Sequence, residues 1–199
     1  MKLSRIEKRD LLKSWAAISI AFAIVMSGGL KLGIAFFTSI FISGITVGIG
    51  FLVHELSHKY VAERYGCWAE YRSFDKMLIF MIILSFFGFI FAAPGAVMIQ
   101  GHVGRVRNGR ISAAGPFSSI ILALLFSFIY FLQSTIGSTA GIITIIAVYG
   151  MAINSWLAVF NLLPFWNFDG KKILAWNTKV YGVMMAISVI IAVISFSLV

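Results

Sequence analysis

A chain of 199 residues that is 60% hydrophobic, with a mean hydropathy of +0.98 and 12% charged residues, lies far outside the composition of soluble globular domains. Its formal net charge of +9 raises nucleic acid as a partner, but the placement of the cations along the chain argues against that reading. One cysteine, Cys67, rules out an intramolecular disulfide and a cysteine-rich metal cluster.

Lys2, Arg5, Lys8, Arg9 and Lys13 precede a first hydrophobic run, Trp15 to Leu30. Ser27, Gly28 and Gly29 do not form a signal-peptidase site, and the next run follows almost at once, so a retained helix is expected. Leu32 to Val53 is uncharged, and at about 1.5 Å rise per residue it is long enough to cross a hydrocarbon core of roughly 30 Å. Within it, the Gly44 and Gly48 spacing, with Gly50 beside it, predicts close packing inside the molecule rather than a dimer interface. Further runs follow at Met77 to Ile99, Ile111 to Leu132, Ile142 to Leu163 and Val180 to Val199. Repeats, low-complexity tracts and long linkers are lacking, so a single membrane-embedded domain over 1–199 is expected.

The cations alternate with these runs. Arg64, Arg72 and Lys76 follow the second, Arg105, Arg107 and Arg110 precede the fourth, and Lys171, Lys172 and Lys179 separate the last two. Only Lys31 falls in the opposite set of loops, which is the positive-inside pattern, and it makes anionic lipid headgroups the partner of the basic excess. If Met77 to Ile99 crossed and stayed out, the three arginines after it would lie outside. A segment that enters and returns, breaking at Ala93-Pro94-Gly95, keeps the rule throughout. The expected fold is an all-α polytopic membrane protein with about five full transmembrane helices plus one re-entrant or broken segment. Its N-terminus is expected in the cytoplasm, and the re-entrant segment is expected to line a cavity.

Ionisable groups inside such runs are expensive and point to function. Of seven acidic residues, Glu7 and Asp10 fall in the N-terminal tail, and Glu63, Glu70 and Asp75 in or beside the following loop. That leaves Glu55 and Asp169, and two of the three histidines flank Glu55 in His54-Glu55-Leu56-Ser57-His58. Positions four apart share a helix face, so both imidazoles can reach one metal ion while the glutamate serves as a general base: the pattern of a zinc hydrolase. Measured back from Arg64, His58 and His54 lie roughly 9 and 15 Å along the helix, inside the membrane toward the cytoplasm. A catalytic zinc takes three protein ligands, and both Asp169 and His102 are candidates for the third. Pro164 ends a helix before Asp169 and Gly170 permits a tight turn after it, whereas His102 adjoins the arginine cluster.

With His54-Glu55-Leu56-Ser57-His58, the stretch Asn161-Leu162-Leu163-Pro164 followed by Asp169-Gly170 resembles the site-2 protease family of intramembrane zinc metalloproteases. Ala114-Gly115-Pro116 is a third, weaker likeness, and together these anchor Ile34 to Lys172. The resemblance implies that His54, His58 and Asp169 hold one zinc ion, that Glu55 is the catalytic base, and that Asn161 holds substrate or the oxyanion. It implies cleavage of transmembrane helices of other membrane proteins, with the active site opening to the cytoplasmic side of the cell membrane. The chain departs from the family's pattern at Ser119, Trp166 and Asn167, and its short loops leave no room for PDZ or CBS modules. A membrane carrier or ion-binding protein is the competing class, with a zinc-binding pseudoprotease scaffold the third; an inverted repeat, which carriers use, is lacking.

Overall fold

The computed structural model describes residues 1–30, 32–90, 94–101, 103–138 and 140–198. Among the described residues, seven helices carry the architecture: α1 (Arg5–Met26), α2 (Ile34–Arg64), α3 (Asp75–Ser85), α4 (Arg105–Thr135), α5 (Ile142–Asn161), α6 (Asp169–Trp176) and α7 (Thr178–Phe196). Of these, α2, α4, α5 and α7 are long and apolar enough to cross a membrane. Their outward residues, such as Phe37, Phe41, Ile121, Phe128, Val193 and Phe196, are large, apolar and exposed, as lipid contact requires.

The 22 residues of α1 include the charged tail, which continues the helix instead of preceding it. Ser4 caps its start by accepting from the Glu7 N–H at 3.1 Å. Because its first turns carry Arg5, Glu7, Lys8, Arg9, Asp10 and Lys13, α1 is not among the four helices that qualify by composition.

Helix α2 widens into a π-helical turn at Gly44–Gly48 before the His-Glu motif. Here the packing reading of the glycines holds. Trp15 of α1 donates its indole N–H to the Gly44 carbonyl at 3.1 Å, and a Cβ at Gly48 would stand 2.6 Å from the indole nitrogen. Gly50 gives the same close approach to Asn154 of α5.

Two strands, β1 (Trp68–Ser73) and β2 (Gly95–Gln100), pair antiparallel from Trp68↔Gln100 to Ser73↔Gly95. The Phe74 N–H donates to the Pro94 carbonyl at 2.9 Å, so the intervening segment leaves and returns at one place. Its helix α3 has 11 residues, about 16 Å at 1.5 Å each, half the thickness of a hydrocarbon core. The segment therefore leaves and returns to one place, as a re-entrant course requires, with two corrections to the expected path. Helix α3 ends at Ser85 and turns through Gly88 at φ 75°, ahead of the expected break, of which Ala93 lies outside the described residues. The return is a strand, because a short apolar run such as Ala96 to Ile99 suits either state and pairing with β1 decides it.

Candidate metal centre

His54 and His58 project from one face of α2, one turn apart, toward α4. Their Nε2 atoms are 3.2 Å apart. Asp169, the first residue of α6, brings Oδ2 to 3.1 Å from His58 Nε2 and 3.7 Å from His54 Nε2. All three side chains are buried or nearly so. A tetrahedral ion with bonds near 2.0–2.1 Å sets its donors about 3.3 Å apart, and these separations bracket that value.

The outer shell fixes the rings. His58 Nδ1 lies 2.8 Å from the Ile111 carbonyl, which can only accept, so the proton sits on Nδ1 and the Nε2 lone pair faces Asp169 and His54. His54 Nδ1 is 3.0 Å from Ser119 Oγ. Both partners lie on α4, as does Gly115, where a Cβ would stand 2.6 Å from His54 Nε2 and closer still to His58 Nε2. The missing side chain at Gly115 leaves the cradle that an ion needs, and the donor set fits zinc.

The short α6 is anchored by Gly170, whose Cα packs on the Leu162 backbone: a Cβ there would come within 2.8 Å of the Leu162 Cα. Gly170 thus serves close approach and not the tight turn expected of it; the positive φ in this loop belongs to Trp166, at 51°. Lys172 reaches 3.8 Å from Asp169 Oδ1, one turn along α6. Beside it, Arg105, Asn108, Asn167 and Lys171 line an open cavity of about 250 Å³.

Glu55 lies about 100° around α2 from His54, so its carboxyl borders the ligand face without joining the three donors. It is buried, and the backbone N–H of Val97 on β2 faces it. Asn161 ends α5, where its amide N–H donates to the Leu157 carbonyl at 2.9 Å. It closes its own helix and makes no hydrogen bond to the three donors. His102 lies outside the described residues.

Comparison with known proteins agrees with this geometry. The chain is 41% identical over 145 residues to the protein named Putative zinc metalloprotease MJ0611 of Methanocaldococcus jannaschii, a match spanning 72% of this chain and 74% of that relative. The chain belongs to this family of zinc metalloproteases. A second protein of that organism, named Zinc metalloprotease MJ0392, is 29% identical over 140 residues, covering 69% of this chain and 35% of the relative. No family model and no solved structure matches the chain. Zinc is accordingly the metal, and His54, His58 and Asp169 are the residues that fit it.

Sequence reading finds these three donors but misses their supports. Ser119 stands out in the sequence only as a departure from the family's pattern and the Ile111 carbonyl carries no motif; the packing of α4 on α2 reveals both as supports.

Proposed function

We propose that this metalloprotease is an intramembrane endopeptidase of the site-2 type, hydrolysing peptide bonds within or near transmembrane helices of other membrane proteins. The observation that carries the reading is a set of three donors at zinc-ligand spacing borne partly by a 31-residue apolar helix. Buried ionisable groups in such a helix are costly unless they serve a site.

Zinc, when bound, supplies Lewis acidity that polarises the scissile carbonyl and makes water a stronger acid. The chain's own groups do the rest. Glu55 Oε takes the proton of the attacking water and returns it to the departing amine nitrogen, the role for which a carboxylate beside the ligand face suits it. Asn161 can offer its amide N–H to the developing oxyanion once it releases the Leu157 carbonyl.

A substrate helix hides its carbonyls in its own hydrogen bonds and must unwind to be cut. Tyr71 of β1 turns its N–H away from β2 toward Glu7, so by antiparallel alternation its partner Val97 also turns its backbone groups away from β1. They face Glu55. The β2 edge, which has no strand beside it among the described residues, is where an unwound segment can pair as an added strand.

In the membrane we assign the N-terminus, Arg107 and Lys172 to the cytoplasmic side, with α1 as a fifth span beside α2, α4, α5 and α7, and the site opening to the cytoplasm. The test is purified protein in lipid, with a membrane peptide bearing a helix-weakening residue: zinc-dependent cleavage supports the reading, and intact peptide beside full zinc occupancy refutes it.

A further inference from the structure

The tail acids Glu7 and Asp10 are built into the molecule. Glu7 is 0% exposed and Lys59, directly after His58, is 2% exposed. The Lys59 ammonium donates to both Glu7 oxygens, at 2.8 and 2.6 Å. The same Glu7 carboxylate accepts the Tyr71 N–H at 3.0 Å, and Asp10, one turn on, accepts the Ser73 N–H at 3.4 Å. Ser4 donates to Glu70, and Ser14 shares a hydrogen bond with the Tyr71 hydroxyl at 2.7 Å. The N-cap Ser4 and residues 7, 10 and 14 of α1 form one stripe, and the whole stripe meets β1.

Tyr71 and Ser73 alternate along β1, so their N–H groups form the strand's outer edge, where a third strand would bond. Carboxylates occupy that edge instead. Nothing in the site chemistry described above uses them, yet a buried ion pair costs desolvation and is weak evidence for stability alone.

We propose that Glu7 and Asp10 stand in for a third strand, and that the Glu7–Lys59 pair fastens the β1–β2 sheet to the motif helix so that its open edge, β2, is held beside Glu55. Glu7 is thus a positioning residue: it touches no reacting atom and acts through Tyr71 and the hairpin. This rests on the protease reading for its consequence, and on the hydrogen bonds alone for its mechanism. The N-terminal acids set where an extended substrate docks.

The experiment compares two double variants of the full-length protein in lipid, Glu7→Ala/Lys59→Met and Glu7→Gln/Lys59→Met. Both abolish the ion pair and leave no unpaired lysine, but only glutamine keeps an acceptor for the Tyr71 N–H. Three readouts are taken: amide hydrogen exchange at Tyr71, bound zinc, and kcat and KM on a membrane peptide. The alanine pair should exchange Tyr71 about tenfold faster and raise KM about tenfold at unchanged zinc, and the glutamine pair should restore both toward wild type. Equal exchange in the two variants overturns the proposal. Restored exchange with no cleavage by any form, wild type included, supports the edge cap and refutes the protease reading. Should the alanine pair fail to fold, Asp10→Ala against Asp10→Asn, read at the Ser73 amide, decides by the same comparison.

Discussion

His58 Nε2 stands 3.1 Å from Asp169 Oδ2, joining the motif helix to a short helix near the far end of the chain. That contact brings the third donor into place. His54→Ala, His58→Ala and Asp169→Asn should each lose most bound zinc in metal analysis of purified protein, while helix content by circular dichroism stays within about a tenth of wild type. The asparagine variant is the informative one, since it keeps the shape of Asp169 and removes the charge that offsets the ion.

Ser119 is placed to act on a metal through its hydrogen bond to His54. Removing its hydroxyl in Ser119→Ala frees the imidazole to rotate, and outer-shell losses of this kind weaken metal affinity about 10–100-fold. Competition with a chelator of known affinity measures the change, and an unchanged constant would remove Ser119 from the account.

Gly115 provides the cradle. Gly115→Ala places a methyl group against both ligand Nε2 atoms, so zinc uptake should fall by at least about tenfold. The same methyl meets the buried rings when no metal is bound, so the metal-free variant should also lose some stability. Zinc uptake equal to wild type would show that Gly115 does not shape the site.

Topology is tested by labelling single cysteines in a Cys67→Ser background. Positions 107 and 172 should react with an impermeant reagent only from the cytoplasmic side, and position 134 only from outside. Labelling of position 107 from outside would overturn the assigned orientation of the re-entrant hairpin.

The three donors that the structure brings together are legible in the sequence because charge is so rare there: two histidines four apart and an aspartate after a helix-breaking proline stand out against 60% hydrophobic residues. The excursion that ends where Phe74 meets Pro94 is legible from the arginines at 105, 107 and 110, because the positive-inside pattern calls for a segment that returns before them. The hairpin is not, because Ala96 to Ile99 is apolar and short, and strand identity comes from pairing with residues far back in the chain. Glu7 and Asp10 are misleading for a different reason. Acids among cations ahead of an apolar run look like a solvated tail, and only the buried Lys59 and the outward N–H groups of β1 give them partners. Lys59 itself is hidden by its neighbour, since a lysine just past His58 near the helix end passes for an interfacial charge.

Glu55→Gln separates proton transfer by Glu55 from metal binding by His54, His58 and Asp169. Zinc content and cleavage of a membrane peptide are measured on one preparation. Zinc should equal wild type with cleavage reduced by about a hundredfold or more; full zinc with undiminished cleavage would exclude Glu55 as the base.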